Sequence, residues 1–173
     1  YMKETGTTFK DIYDYCHDNN QKELAKKAPI HQVILDMVID HMPNPVTAQR
    51  YRIPHIWHGD IESEVGKAMI ECSPKGTTTL MVTKIIMDPH AVEVAIGRVF
   101  SGEIRKGMEM EVIGMPGKNR VQIVSLCVGG DRIPVESITA GNVVAVTGLK
   151  NAIAGSTVTT DPEMEAFERI VHY

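Results

Sequence analysis

Between positions 30 and 42, apolar side chains recur at steps of three and four: Ile30, Val33, Ile34, Met37, Val38 and Met42. That spacing lays one apolar stripe along a helix. Pro29 suits its first turn, where a missing N–H is no loss, and Pro43 ends it. Phe9, Ile12, Tyr13 and Cys16 repeat the spacing earlier, up to the polar break Asp18-Asn19-Asn20, so residues 1–44 are expected to be helical. Residues 1–28 hold too little apolar surface to cover the stripe. The helix is therefore expected to pack on polypeptide outside this sequence, or on the barrel introduced below. From 43 to 74 the punctuation is dense (Pro43, Pro45, Pro54, Gly59, Gly66, Pro74), which predicts an extended connection. Within it, Arg52-Ile53-Pro54-His55-Ile56-Trp57-His58 mixes basic and aromatic residues. Trp57 either stacks on a nucleobase or, the favoured reading, pins the connection to a neighbouring surface.

From Gly76 the pattern changes to period two. Thr77 to Met87 is rich in β-branched residues, Asp88-Pro89-His90 forms a turn, and Ala91 to Phe100 is the next strand. The stretch Gly97-Arg98-Val99-Phe100-Ser101-Gly102-Glu103-Ile104-Arg105-Lys106-Gly107 has the form of strand, tight connection and the lead into a further strand, Met108 to Ile113. Residues 114–119 are a loop. Val121 to Val128, Ile133 to Val135, Val143 to Val146 and Thr157 to Thr159 complete the strands, and Met164, Phe167 and Val171 return to helical spacing. Short strands joined by glycine turns without intervening helices predict a mainly β domain, a closed antiparallel barrel or a sandwich, after a helical segment.

Composition adds modestly to this picture. The 173 residues are 43% hydrophobic and 23% charged, as in ordinary globular proteins. No apolar run is long enough to cross a bilayer, and Tyr1-Met2-Lys3-Glu4-Thr5-Gly6 lacks a signal-peptide pattern. Three scattered cysteines (Cys16, Cys72, Cys127) argue against a disulfide framework and for a reducing cytoplasm. The formal net charge is −4, but residues 75–160 carry nine Lys or Arg against seven Asp or Glu between acidic flanks. That contrast fits a phosphate-facing surface, and equally ordinary solubility charge.

The motifs of catalysis are missing. A phosphate loop requires Gly, four residues, then Gly-Lys-Ser/Thr. The only Gly-Lys followed by a small residue is Gly66-Lys67-Ala68, with Ile at 61 and Ala at 68. There is no Asn-Lys-x-Asp and no Gly-x-Gly-x-x-Gly. Cys16-His17 are adjacent rather than spaced, His55 and His58 lack accompanying ligands, and Cys72 and Cys127 suit small core positions in strands, so no metal site is expected.

Taken together, Gly97–Gly102, Gly107, Ala140-Gly141-Asn142-Val143-Val144-Ala145-Val146-Thr147-Gly148-Leu149 and Ala154-Gly155-Ser156-Thr157 resemble the second-domain barrel of the translational GTPases. The flanks Leu35–Pro45, Tyr51–Asp60 and Val65–Met69 resemble the elongation factor 2 branch, of archaeal rather than eukaryotic type because the hairpin around Asp88 is short. Val92 stands where relatives would have glycine. The resemblance covers the whole chain and implies its organisation. Residues 1–45 correspond to the last helices of a GTPase domain, 46–74 to a connector, 75–160 to the domain II closed barrel, and 161–173 to the lead into a further domain. It implies that an intact protein binds GTP and Mg, and promotes movement of tRNA and mRNA through the ribosome. The barrel then rests on small-subunit RNA and touches the GTPase domain, while this chain, expected to be monomeric, is no enzyme and has no nucleotide site. Arg105, Lys106, Lys118 and Arg120 are the candidates for facing RNA, each a basic residue at a turn, with solvated loop charge as the plain alternative. Competing assignments are another translational or spliceosomal GTPase, or a stand-alone RNA-binding barrel.

Overall fold

A computed structural model describes residues 2–88 and 93–169. The chain divides into two compact units, one up to Pro43 and the other from Asn44 onward.

The first unit holds α1 (Met2–Thr5), α2 (Phe9–His17), α3 (Gln21–Lys27) and α4 (Ile30–His41). Helix α2 opens with a capping box. Thr8 Oγ1 accepts from the Asp11 N–H, and the Asp11 carboxylate accepts from the Thr8 N–H at 2.8 Å. Those bonds, the Thr8 hydroxyl foremost, hold the Asp11 carboxyl below its ordinary pKa. The expected polar break falls at Asp18 to Asn20, where Asn19 takes a φ of 55°. Along α4, Ile30, Ile34, Leu35, Met37, Val38 and Ile39 are all largely exposed.

The second unit begins with a departure from expectation. Residues 45–70 are not an extended connection but two helices, α5 (Pro45–Ile56) and α6 (Glu64–Ile70). Asn44 accepts the Thr47 N–H at 2.9 Å, and Pro45 sits in the first turn, where it stabilises rather than breaks the helix. Ser63 caps α6 in the same way. Pro54 lies inside α5. The buried face of Ala48, Gln49 and Ile53 supplies the tertiary packing that overrides that local penalty.

Ten strands follow: β1 (Thr79–Met87), β2 (Glu93–Ser101), β3 (Glu103–Arg105), β4 (Glu109–Val112), β5 (Lys118–Arg120), β6 (Ile123–Val128), β7 (Asp131–Val135), β8 (Ser137–Thr139), β9 (Val143–Thr147) and β10 (Thr157–Thr159). Eight make one curled antiparallel sheet in the order β5-β4-β10-β1-β2-β9-β6-β7, and β3 pairs with β8 separately. Among the described residues the end strands β5 and β7 do not pair with each other, so the sheet is not closed edge to edge as expected. Strand β3 lies inside the expected connection at 101–107, β5 overlaps the expected loop at 114–119, and β8 falls in a stretch with no expected strand. The turn at Asp88-Pro89-His90 and the departure at Val92 lie largely outside the described residues.

Period two explains how the sheet is covered. Leu80, Val82, Val99, Val144, Val146 and Val158 point to a central core shared with Ile104 and Ile138 of the small β3–β8 pair. Met81 and Phe100, one residue out of phase, join a second cluster with Ile53, Trp57, Met69, Met164 and Phe167. Trp57 is thus the pin, not an exposed stacking platform. It is 3% exposed, and its Nε1–H donates to the Glu165 carbonyl at 2.8 Å. Residues 161–169 are not helical. They run as an irregular segment whose Met164 and Phe167 complete the second cluster, while Val171 lies outside the described residues. Cys72 is not in a strand either: it follows α6 with a φ of 54°.

Candidate nucleic-acid interface

The four basic candidates come from two chain segments that the backbone ties together. The Gly107 N–H donates to the Val121 carbonyl at 2.7 Å, and the Val121 N–H donates back to Met108 at 2.9 Å. The Lys106 N–H bonds the Glu136 carbonyl at 3.2 Å. Gly107 makes the turn with a φ of 82°. A Cβ placed there would come within 3.8 Å of the Arg120 guanidinium, so Arg120 reaches the turn that carries Arg105 and Lys106. Lys118 and Arg120, two apart on β5, share its outer face. Asn119 between them is 8% exposed and accepts the Lys150 N–H at 2.9 Å. The structure therefore gathers Arg105, Lys106 and Arg120 at one end, with Lys118 further along the same strand. An open groove of about 520 Å³ beside the turn is lined by Gly76, Thr78, Glu103, Arg105 and Lys106.

The charge there is less one-sided than the sequence implied. In the β4–β5 register, Arg120 stands opposite Glu109 and Lys118 opposite Glu111. Lys118 Nζ lies 3.9 Å from Glu111, and Arg105 donates to Glu103 at 2.6 Å. Among the described residues Lys106 and Arg120 have no carboxylate within ion-pair distance, which makes them the cations freest to meet a phosphate. These acidic neighbours were missed, although Glu109-x-Glu111 before and Lys118-x-Arg120 after a glycine-rich tip is the pattern of paired charges across a hairpin.

The Glu103 carboxyl is held below its ordinary pKa of 4.5, first by the Arg105 hydrogen bond and then by Ser137. A lowered folded-state pKa means the pair contributes its stability above the unfolded value and loses it as pH falls through the folded one. An NMR titration of Glu103 should give a midpoint below 4.5, and Arg105→Ala should move it upward. An unmoved midpoint would show that the pair does not persist in solution.

Gly66 and Lys67 do not form a phosphate cradle. Gly66 lies inside α6, and its N–H is already taken by the Ser63 cap at 3.0 Å, while Lys67 pairs with Glu62 at 3.2 Å. A phosphate cradle needs those donors free. Among the described residues no three His, Cys, Asp or Glu side chains cluster as metal ligands would, and no helix is long and apolar enough to cross a membrane.

Comparison with known proteins gives the decisive observation. Residues 77–161 match the family described as "Elongation factor G domain 2". The chain is 60% identical to elongation factor 2 of Picrophilus torridus over 166 residues, which is 96% of this chain and 22% of the relative. It is 56% identical to elongation factor 2 of Thermoplasma volcanium over 172 residues, 99% of this chain and 23% of that protein. The chain matches archaeal elongation factor 2 over nearly its whole length. Its likeness to the protein of Archaeoglobus fulgidus, 54% over 172 residues and 24% of that length, is of the same kind. These relatives are archaeal, as the short hairpin implied. The chain spans about a quarter of the length of the curated relatives it matches.

Proposed function

We propose that this chain is the ribosome-docking and GTPase-coupling part of a translation elongation factor 2, the cytoplasmic GTPase that moves tRNA and mRNA through the ribosome. The observation that carries the reading is the identity of 54–60% to elongation factor 2 sequences over nearly the whole chain. In this reading residues 1–45 are the last helices of the GTPase domain, and the exposed apolar face of α4 meets the rest of that domain. Residues 46–74 connect it to domain II at 75–160, and 161–173 lead onward. GTP and Mg belong to the missing nucleotide site, and this chain, a monomer, catalyses nothing by itself.

Domain II is in this reading a closed barrel, closed by a bent strand rather than by its sheet edges. Strand β5 pairs with β4 at one end of the sheet, and β6 pairs with β9 near the other. Only Val121 and Gln122 separate β5 from β6, and the Gln122 N–H donates to the Thr147 carbonyl at 2.9 Å. In this reading a continuous β5–β6 ribbon links the two sides of the sheet around the central core and leaves β7 as an outer strand beyond the closure. Rigid closure would hold Lys106 and Arg120 in fixed relation, so that phosphate contacts need little ordering on docking.

The test is ribosome binding by the intact factor carrying Lys106→Ala and Arg120→Ala together. Affinity should fall about tenfold and the salt dependence should flatten by about two contacts. Lys118→Ala, which removes an already paired charge, should do less. Unchanged affinity and slope in the double variant would remove these residues from the interface.

A further inference from the structure

Between α5 and the outer face of β1 and β2 lies a pocket of about 330 Å³. The sheet supplies its floor. Met81 and Arg98 stand opposite each other in the β1–β2 register, and Phe100 follows two residues along β2. Helix α5 supplies a wall of Gln49, Arg52 and Ile56, whose steps of three and four share one helix face. Gln49, Met81 and Phe100 are buried, whereas Arg52 and Thr83 are exposed. The pocket thus has a mainly apolar interior and a polar mouth.

Its charge is one-sided. Arg52 and Arg98 both line it, and no Asp or Glu does. Among the described residues neither arginine has a hydrogen-bond partner or a carboxylate within ion-pair distance. Arg98 Nε is enclosed by protein and out of a ligand's reach, but the two Nη atoms of this half-buried side chain are not enclosed. The guanidinium lies 5.8 Å from the Phe100 ring centre, which holds its charge beside the apolar floor. The other side-chain donors are already committed. Thr83 donates its hydroxyl to the Ile96 carbonyl at 3.1 Å, and Gln49 Nε2 donates to the Phe100 and Met69 carbonyls. Elsewhere on this sheet cations stand across from acids, as Lys118 does from Glu111. Here two like charges face one small cavity with nothing to offset them.

The lining specifies the chemistry of an occupant. A neutral molecule would leave both cations uncompensated, and a single carboxylate would leave one. A phosphate monoester carries a charge of about −1.5 to −2 at neutral pH, and its oxygens match the planar donor edge of an arginine. The floor calls for a flat apolar body, as small-molecule sites with a few placed polar groups generally do. We propose that this pocket binds a small phosphate monoester, its ring against Ile56, Met81 and Phe100 and its phosphate between Arg52 and Arg98. The site is separate from the basic turn and does not depend on the ribosome-docking reading.

The probe is phenyl phosphate, titrated into the intact elongation factor with its nucleotide site filled by GDP and Mg, and followed through the methyl resonances of Met81 and Ile56. A Kd on the order of 1 mM is expected for so small a ligand. Phenol, which lacks the charge, and inorganic phosphate, which lacks the ring, should each bind at least about tenfold more weakly. Benzoate, with one charge, should fall between phenol and phenyl phosphate. Arg52→Met and Arg98→Met should each weaken phenyl phosphate about tenfold, the loss of one charge-assisted contact, and leave phenol unchanged. The protein carrying Lys106→Ala and Arg120→Ala should bind phenyl phosphate as the unaltered one does. Should Arg98→Met fail to fold, Arg52→Met, at an exposed helix position, and the ligand series decide. The proposal is overturned if phenyl phosphate shifts neither methyl, if phenol or inorganic phosphate matches it, or if folded arginine variants bind it equally well. A crystal structure of the intact factor with one of its own segments filling the pocket would overturn it too.

Discussion

Gly148→Ala is expected to destabilise the second unit by about 3 kcal/mol or more, combining backbone strain with overpacking. Gly148 follows β9 with a φ of 96°, a region costly to any residue with a Cβ. A Cβ there would lie 2.3 Å from the Arg120 carbonyl oxygen and 2.9 Å from Gln122 Cγ. The first obstacle is backbone, so no rotamer change relieves it. The β5–β6 ribbon would have to move away from β9, at the point where the Gln122 N–H and the Thr147 carbonyl now meet at 2.9 Å. Gly114→Ala is the control. Its φ of 84° carries the same kind of strain, but nothing lies within 4 Å of the added atom, so about 1 kcal/mol is expected. Denaturant unfolding of the two variants separates strain from collision. Equal losses would mean that the ribbon is not held against β9 as described.

Trp57→Ala should cost about 3–5 kcal/mol, as large-to-small changes at fully packed aromatic positions do. The ring lies in the cluster of Ile53, Met69, Met81, Phe100, Met164 and Phe167, and its strand-like bridge to Phe167 holds the 161–169 segment against the sheet. Phe100 and Phe167 meet beside it at a 42° tilt with ring centres 4.9 Å apart, an arrangement that loses its support when the indole is removed. Trp57→Phe keeps most of the apolar contact and loses only the bond to the Glu165 carbonyl, so about 1 kcal/mol is expected. Amide exchange at Phe167, whose N–H donates to Thr157 Oγ1 at 2.8 Å, should accelerate in the alanine variant before global unfolding. If that amide stays protected and stability falls by less than about 1 kcal/mol, Trp57 is not the pin.

How legible a segment was depended on how many residues carried its signal. The stripe on α4 and the alternation in β1, β2 and β9 each repeat over several residues, and these elements appear where expected. α5 was misread because Pro45 and Pro54 look like breaks, and only the buried contacts of Ala48, Gln49 and Ile53 show that packing outweighs them. The Met164–Phe167 spacing imitated a helix for the opposite reason. Both side chains enter one cluster from an irregular segment, so their separation reflects the surface they meet and not a helical period.

The sequence by itself determined the resemblance to elongation factor 2 and the mainly β character of the second unit. Each rests on residue identity and spacing along the chain, which survive without coordinates. Only the tertiary structure decided which cations are neutralised by Glu103 and Glu111, and that Trp57 is buried. It alone showed that Met164 and Phe167 enter the same cluster as Trp57 from an irregular segment. Charge pairing, burial and hydrogen-bond satisfaction depend on residues far apart in the chain: Trp57 donates to the carbonyl of Glu165, 108 positions away, and no local pattern encodes their meeting.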